Sequence, residues 1–314
     1  MATENSVTKT TGQASKTATR RYNDKCLADL ARPYFVGIVG GTSYVSTIEY
    51  YKTIIERVNA TLGGLTSAPI LLYSLEFGQI KRYMDLDDWS AIANILFNVI
   101  DDLWLVGVKV VAIASNTLHR AIPLLEGAVN WKDLDDDSDG ITLIHIGDVV
   151  AKKVTAAGIK RVGLLGTKET MQGDFIKKFL VERGIEVVVP DSNNQDKLND
   201  LIFNEYCNGY FNTKTCSDLY DIIAQMCCQD YIEGVILGCT ELGEALNVEW
   251  RNLLIGGHLD HDFEVDARES DPKLAESMQN FQIFDSAEIH IEAIANYCIT
   301  GKLTTESCEQ SALK

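Results

Sequence analysis

The chain has 314 residues, 46% of them hydrophobic, which fits one large domain or two lobes with buried cores. Its 28 basic and 45 acidic residues give a net charge of −17, which argues against nucleic acid or an anionic membrane as partner, because both bind basic surfaces. No apolar run reaches the length that spans a bilayer.

The predicted elements alternate between strands and helices, which predicts an α/β fold. Residues 1–33 are rich in Ser, Thr, Lys and Arg without an apolar signal segment, so we expect a disordered tail there, with a transit peptide as the alternative. The predicted strands are residues 35–39, 68–75, the run that starts at Val108, and residues 141–146, 161–165, 185–189, 235–237 and 281–284. The predicted helices are one that follows Ser43, residues 89–107 and 147–158, one that ends at Arg183, and residues 196–209, 217–229 and 286–298.

The first strand ends in a glycine turn, Gly40-Gly41-Thr42-Ser43, in front of a helix. Such a turn offers free backbone N–H groups that can hold a carboxylate or a phosphate. The Gly-x-Gly-x-x-Gly fingerprint and the P-loop lysine are both absent, so nucleotide binding is disfavoured.

Three stretches interrupt the alternation. Residues 77–88 are predicted to be a polar connection, whose Lys81 and Arg82 either meet a substrate carboxylate or are simply solvated. The acidic residues 131–140 lack the ligand order, central glycine and closing glutamate of an EF-hand, which predicts a solvated surface insertion. Residues 256–280 are rich in Asp, Glu and His, and this composition favours an irregular insertion.

Cysteine and histidine spacing gives no metal or disulfide framework. The eight cysteines are irregularly placed, and adjacent Cys227 and Cys228 fit neither pattern. The five histidines are scattered. We therefore expect reduced thiols in a cytoplasmic protein whose site holds no metal.

One cysteine stands in a distinctive setting. Residues 235–237 are typical of a buried parallel strand, and Gly238 permits a turn. Because Thr240 is predicted to be a helix N-cap, we expect Cys239 to lie where a strand ends and a helix begins. Free N–H groups and the helix dipole would favour a thiolate there. The alternative is a buried structural cysteine.

A second copy of this pattern indicates internal duplication. Ser115 follows an equivalent strand, 124 residues before Cys239, and the glycines of two further strands, Gly37 and Gly163, are 126 residues apart. The repeat predicts two similar lobes that aim two polar side chains at one cleft. We place lobe one at residues 34–146 plus 285–301, lobe two at residues 147–284, and tails at residues 1–33 and 302–314.

Five motifs follow strand ends along the chain: Gly40-Gly-Thr-Ser43, Ser115-Asn-Thr-Leu-His119, Gly166-Thr-Lys-Glu-Thr170, Gly238-Cys-Thr-Glu241 and Phe284-Asp-Ser-Ala287. Together they resemble the aspartate/glutamate racemase superfamily, most of all its aspartate racemase branch, from about residue 35 to residue 300. The resemblance implies a pseudo-symmetric two-lobed α/β fold and catalysis without a cofactor. It also implies two cysteines that face each other across the substrate α-carbon, which is what inversion at carbon requires.

The resemblance assigns residue roles. It implies that Asn116, Thr117 and Thr240 bind the α-carboxylate and amine of an aspartate or glutamate substrate, that Lys178 meets the side-chain carboxylate, and that the chain forms a homodimer. The catalytic candidates are Cys239 and Ser115; the substrate-binding candidates are Gly41, Thr42, Ser43, Asn116, Thr117, Thr167, Thr170, Lys178, Thr240 and Glu241; the supporting candidates are His119 and His290.

Ser115 departs from the family pattern, since a cysteine usually stands at its position. A serine hydroxyl is a poor base at neutral pH without a partner, which His119 could supply unless it is structural. We therefore expect an asymmetric racemase. The alternatives are a one-cysteine lyase or isomerase, like the arylmalonate decarboxylase and maleate isomerase relatives, and a binding protein without catalysis.

Overall fold

The computed structural model describes residues 34–134, 136, 138–246, 272–278 and 281–303. The predicted tail at residues 1–33, nearly all of the tail at residues 302–314, and most of the insertion at residues 256–280 lie outside the described residues. Within the described part of the chain, no helix is long and apolar enough to cross a membrane.

Two parallel four-stranded sheets form the framework of the described chain. The first contains β1 (Val36–Gly40), β2 (Ile70–Ser74), β3 (Val110–Ile113) and β4 (Thr142–Ile144), and the second contains β5 (Arg161–Leu165), β6 (Glu186–Val188), β7 (Gly234–Leu237) and β8 (Gln282–Asp285). Their strand orders, β2-β1-β3-β4 and β6-β5-β7-β8, are equivalent. The register is equivalent too, since Gly37 aligns with Val111 and Gly163 with Val235. The predicted two-lobed α/β fold is confirmed, while the exact lobe boundaries stay a prediction.

Helices cover both faces of each sheet, as the connections between parallel strands require. Two short 3₁₀ helices, Thr117–Leu125 and Tyr206–Asn208, supplement them. The α-helices are α1 (Tyr44–Leu62), α2 (Phe77–Asp85), α3 (Trp89–Leu105), α4 (Ile146–Ala156), α5 (Lys168–Gln172), α6 (Asp174–Val181), α7 (Ser192–Asn204), α8 (Thr213–Asp230), α9 (Leu242–Ala245), α10 (Pro272–Met278) and α11 (Ser286–Thr300).

The prediction of a polar connection at residues 77–88 is wrong, because most of it is α2. The carboxylate of Glu76 accepts hydrogen bonds from the N–H groups of Gly78 and Gln79, so it caps this helix although glutamate is an uncommon cap. Two further predictions about helices are also wrong. The helix predicted to reach Arg183 is broken at Gly173 into α5 and α6, and the insertion predicted to be irregular contains α10.

The largest core cluster joins the two lobes. It contains Val36 and Ile38 of the first sheet together with Leu164 and Ile236 of the second. Two helices carry the chain across, since α4 follows β4 towards the second sheet and α11 follows β8 back against α1. Because α4 and α11 pack on each other and on this shared core, they hold the two lobes together.

Candidate active site

A narrow cleft lies where the central strands of both sheets end. The turns after β1, β3, β5 and β7 all contribute to it, as expected of ligand sites at the carboxyl ends of parallel strands. Its cavity volume is about 30 Å³, enough for about two water molecules. The lining residues are Thr42, Phe77, Met84, Ser115, Asn116, Thr117, Thr167, Ile202, Phe203, Cys207, Cys239, Thr240 and Glu241.

Cys239 lies in this cleft beside a carboxylate. Its thiol, 8% exposed, donates a hydrogen bond to Oε2 of Glu241 at 2.9 Å. Burial raises the pKa of Cys239 well above its usual range, and the neighbouring charge of Glu241 raises it further. The expectation of a lowered pKa is therefore wrong. The physical reason is that α9 is only four residues long and begins after Glu241, so it offers the thiol little dipole or free N–H.

Glu241 connects several polar groups of the cleft. Its Oε2 also accepts a hydrogen bond from the hydroxyl of Thr240 at 2.8 Å, so Thr240 is not the helix N-cap that its sequence position suggested. Only 3% of Glu241 is exposed, and its second oxygen, Oε1, has no partner among the described residues. The Oγ1 atom of Thr42 is likewise buried without a partner there. Unpaired buried polar atoms at a cleft are candidate ligand contacts, because leaving them unsatisfied is costly.

Ser115 stands on the other side, after β3, and is 8% exposed. His119 does not face its hydroxyl. The Nδ1–H of His119 donates to the backbone carbonyl of Ser115 at 2.7 Å, and its Nε2 is 3.4 Å from the N–H of Ile146. Burial lowers the pKa of His119 to about 4, so the ring is neutral and both nitrogens are engaged. In this arrangement His119 positions the turn and does not serve Ser115 as a base.

His290 is buried and does not line the cleft. Its Nε2–H donates to the carbonyl of Ile144 at 2.8 Å, and its Nδ1 accepts from the hydroxyl of Tyr50 at 3.0 Å. Burial lowers the pKa of His290 to about 3. The ring therefore fastens α11 to β4 and α1, which supports the predicted site without touching the cleft.

Hydroxyl groups link the two lobes across the cleft floor. The hydroxyl of Thr117 is 3.1 Å from that of Thr167, which is 3.2 Å from that of Thr170. The side-chain amide of Asn116 donates to the hydroxyl of Ser286 at 2.9 Å. These contacts fix the turns after β3 and β5 relative to each other.

The glycine turn after β1 depends on its glycine. Gly41 has a φ of +94°, and an added Cβ would lie 2.4 Å from backbone atoms of Leu75. Its N–H donates to the hydroxyl of Thr47 at 2.8 Å. This tight turn presents Thr42 to the cleft and buries Ser43 beneath it.

The structure brings together most of the predicted site residues, but not all. Gly41, Ser43 and Thr170 lie behind the lining, as do His119 and His290. Lys178 is also not among the lining residues, and its ammonium lies 4.9 Å from the ring centroid of Phe179 on α6. The predicted residues that line the cleft are Thr42, Ser115, Asn116, Thr117, Thr167, Cys239, Thr240 and Glu241.

Sequence reasoning missed the apolar wall of the cleft. Phe77 and Met84 come from α2, and Ile202 and Phe203 from α7. The spacing of Phe77 and Met84 on one helical face could have revealed α2, but nothing in the sequence marks Cys207, which lines the cleft from the 3₁₀ helix after α7. Among the described residues, no three His, Cys, Asp or Glu side chains are grouped as metal ligands would be.

Comparison with known proteins now identifies the family. The model of the Asp/Glu/hydantoin racemase family matches residues 39–254. The chain belongs to this family. A candidate Asp/Glu racemase from Yersinia pestis is 30% identical with a TM-score of 0.65, and an aspartate racemase homologue from Pyrococcus horikoshii is 31% identical with a TM-score of 0.61. Each alignment covers 84% of this chain and 98% of the other.

A third structure, an aspartate racemase from Picrophilus torridus, shares the fold at 19% identity and a TM-score of 0.56, over 87% of this chain and 97% of that one. The predicted resemblance to the aspartate racemase branch of the Asp/Glu/hydantoin racemase family is therefore confirmed. Membership supports racemase-type chemistry for this chain.

Proposed function

We propose that this protein racemises aspartate, glutamate or both at the α-carbon, without a cofactor. One observation carries the proposal: Ser115, after β3 of the first sheet, and Cys239, after β7 of the second, line the same cleft. Inversion at carbon needs one proton acceptor and one proton donor on opposite faces of the substrate. The pseudo-symmetry of the two lobes supplies two such positions.

Proton removal starts at Cys239. Because its pKa is raised by burial, the thiol is protonated at neutral pH and needs a local base. The carboxylate of Glu241 already accepts its S–H hydrogen bond. Transfer of this proton to Glu241 gives the thiolate, which then takes the α-proton from one face of the substrate and becomes a thiol again.

Ser115 returns a proton on the opposite face; water then reprotonates the serine alkoxide, and Glu241 releases the proton that it took from Cys239. Its hydroxyl can donate to an α-carbanion, but the nearest histidine faces its carbonyl oxygen and not its hydroxyl. Donation from Ser115 is therefore much easier than abstraction by it. This difference is the structural reason to expect strongly asymmetric kinetics from the two enantiomers.

The polar side chains of the cleft suit the common part of an amino acid. Asn116 and the hydroxyls of Thr42, Thr117 and Thr240 can hold the α-carboxylate, where negative charge grows as the proton leaves. The unpaired Oε1 of Glu241 suits the ammonium group.

The side-chain carboxylate needs a cation, and Lys81 is the candidate with the best position. It lies on the same face of α2 as Phe77 and Met84, both of which line the cleft. Its ammonium is 4.9 Å from the ring centroid of Phe203, another lining residue. In the free protein Lys81 is paired with Asp85 and is 36% exposed. We propose that it turns to the substrate carboxylate, the role that the family resemblance implied for Lys178.

Proton exchange in D₂O tests the proposal directly. Each enantiomer of aspartate and glutamate is incubated with the enzyme, and loss of the α-proton signal is followed by NMR together with optical rotation. We expect exchange of one enantiomer to be much faster than that of the other, with slower net racemisation. If a folded sample of the protein exchanged the α-proton of none of the four substrates, the proposal would be overturned.

A one-sided reaction is the second candidate, because both ring nitrogens of His119 are engaged away from the hydroxyl of Ser115. Decarboxylation of a malonate-type substrate needs protonation on one face only, which Cys239 could provide. The same experiment separates the two functions, since a decarboxylase leaves the α-protons of aspartate and glutamate in place.

A further inference from the structure

The cleft is closed in the described structure. Its cavity volume of about 30 Å³ holds water but is far too small for an amino acid, so its walls must separate before a substrate can enter. One apolar wall, Phe77 and Met84, belongs to α2, and the other, Ile202 and Phe203, belongs to α7. Contacts that hold the elements around the cleft together therefore decide how often it opens.

Arg120 contacts three separate segments around the cleft. It lies in the 3₁₀ helix that begins two residues after Ser115. Its Nη1–H donates to Oε2 of Glu169 on α5, which follows a strand of the second sheet, and its Nη2–H donates to Oδ1 of Asp87 at 3.0 Å. The guanidinium is also 4.3 Å from the ring centroid of Trp89 at the start of α3. One side chain thus joins the two lobes and the turn between α2 and α3.

The turn between α2 and α3 presents a carboxylate to Arg120. Asp87 has a φ of +52°, in the left-handed region that residues other than glycine rarely adopt. Its Oδ1 also accepts a hydrogen bond from the indole N–H of Trp89 at 2.7 Å, so two donors fix one carboxylate oxygen. The N–H of Asp87 donates to the carbonyl of Met84, which lines the cleft at the end of α2, at 3.0 Å. The bond between Arg120 and Asp87 therefore limits how far this wall can move.

The contact with Glu169 lies beside the hydroxyl link across the cleft floor. Glu169 stands between Thr167 and Thr170 in sequence, and the hydroxyl of Thr167 is 3.1 Å from that of Thr117. The side chains of Arg120 and Glu169 are 33% and 32% exposed. Partial burial makes such a charge-assisted pair stronger than one on the open surface, while access of water allows it to break and re-form. The pair can therefore hold the cleft closed without preventing its opening.

We propose that Arg120 is a positioning residue that holds the cleft closed, with Ser115 and Cys239 at the separation that proton transfer on both faces requires. It acts through Glu169 and Asp87, since it does not line the cleft itself. Small errors of distance are costly, because the reacting atoms must approach to hydrogen-bond range. The role in turnover rests on the racemase function proposed above, whereas the role in closure rests only on these contacts.

Access to Cys239 gives a test that does not depend on activity. Cys239 is 8% exposed and is reached through the cleft, so the rate of its alkylation by iodoacetamide reports how often the cleft opens. Arg120→Gln removes the charge and leaves a planar amide that can still stack on Trp89. Alkylation of Cys239, followed by mass spectrometry of its peptide, should be about 10-fold faster in this variant, because two charge-assisted hydrogen bonds are lost. Arg120→Lys keeps the charge and should give an intermediate rate.

The matched control is Arg161→Gln. Arg161 is exposed to a similar extent, and its ion pair with Glu186 at 3.1 Å joins two strands of one sheet, where neither residue lines the cleft. This variant should alkylate at Cys239 as slowly as the wild type. Cys298 is an internal reference, because it is fully buried in the core and becomes accessible only when the fold opens as a whole.

Three outcomes of the alkylation experiment would each overturn the proposal. The first is an unchanged rate at Cys239 in Arg120→Gln. The second is an equal increase in Arg161→Gln, which would show that loss of any such ion pair loosens the cleft. The third is labelling of Cys298 at the same increased rate as Cys239, which would show that Arg120 stabilises the whole fold and not the closed cleft.

Steady-state kinetics with aspartate or glutamate then test the role in turnover. Arg120→Gln should lower kcat about 10–100-fold, since the catalytic side chains are less well held, whereas KM should stay the same or fall, because an opened cleft admits substrate more readily. Glu169→Gln should have a smaller effect of the same kind, and the double variant should lose no more kcat than Arg120→Gln alone.

A raised KM with unchanged kcat in Arg120→Gln, or additive losses in the double variant, would overturn the positioning role. A wild-type chain that turns over neither substrate would instead overturn the racemase function, and the alkylation of Cys239 would still decide whether Arg120 holds the cleft closed.

Discussion

The Sγ atom of Cys239 lies 2.9 Å from Oε2 of Glu241, and both side chains are buried at the cleft. This contact couples the thiol to its neighbour in two ways. The carboxylate raises the pKa of the thiol, which keeps the proton on sulfur, and it is also the acceptor to which that proton can move. We propose that Cys239 and Glu241 form one proton-transfer unit.

Replacement of Glu241 by glutamine should lower α-proton exchange by about 10²–10⁴-fold, because a carboxamide cannot accept the thiol proton. The matched control is Glu244→Gln, an exposed glutamate three residues further along, which should leave exchange within about twofold of the wild type. Exchange is measured by NMR in D₂O. Wild-type rates in Glu241→Gln would show that Glu241 is not the base.

The pH dependence of kcat/KM should follow from the same pair. Because the pKa of Cys239 is raised, the thiolate population grows with pH, and kcat/KM should climb from about pH 7 towards pH 10. In Glu241→Gln the neighbouring charge is gone, so the thiol pKa falls and the rise should move to lower pH, although the maximum is smaller. A profile that is flat over this range in both proteins would contradict the coupling.

Lys81 offers a test of substrate recognition. Lys81→Met keeps a long side chain over Phe203 but removes the charge, and should raise KM for aspartate or glutamate about 10–100-fold with little change in kcat. Arg82→Met is the matched control, because Arg82 is 76% exposed and pairs only loosely with Glu76 at 3.8 Å. Lys178→Met tests the assignment made from sequence. A KM effect in Lys178→Met and not in Lys81→Met would reverse our proposal.

The fold was largely predictable from sequence. Apolar runs followed by glycine, such as those that end at Gly166 and Gly238, identify buried parallel strands, and the repeat spacing of Ser115 and Cys239 pairs the two sheets. Helix α2 was missed because its cap is a glutamate and its exposed face is polar, so that only Ile80 is fully buried. Propensity alone gives little signal in such a helix.

The site was less predictable than the fold. Sequence motifs name residues that stand next to the central strands, whereas Phe77, Phe203 and Cys207 reach the cleft through the packing of α2 and α7. The direction of the Cys239 pKa shift also depends on the surroundings of the side chain in the folded structure. Its sequence position suggested a helix N-terminus, but burial and the neighbouring Glu241 outweigh a four-residue helix.

Ser115→Cys tests the origin of the expected asymmetry. A thiol has a reference pKa of about 8.5, far below that of a hydroxyl, so the second face would gain a usable acid and base. The slow enantiomer should exchange faster, and the ratio between the enantiomers should shrink. Cys239→Ser should instead abolish nearly all exchange of the fast enantiomer. Equal exchange rates for the two enantiomers in the wild type would show that Ser115 has a base after all.

Two buried histidines, His119 and His290, should make stability fall in acid, together with the partly buried His145, whose pKa burial also lowers. His119 lies 4.4 Å from His145 and 6.2 Å from His290 between ring centroids, and burial lowers the pKa of His119 to about 4 and of His290 to about 3. Below about pH 6.5 the unfolded chain binds protons that the folded chain excludes, so stability that is present above this pH is lost as pH falls towards 4 and 3.

The loss should be about 1.5 kcal/mol for each of His119 and His290 between pH 6.5 and pH 5, measured by urea unfolding. His290→Gln removes one titrating ring while keeping a polar side chain beside Tyr50. It should unfold more easily at pH 7.5, because the bonds to Tyr50 and Ile144 are weakened, yet it should lose less stability on acidification than the wild type. An identical acid-induced loss in both proteins would mean that His290 does not titrate on unfolding. The activity of the two proteins at pH 7.5 then shows whether anchoring α11 to β4 and α1 also keeps the cleft in shape.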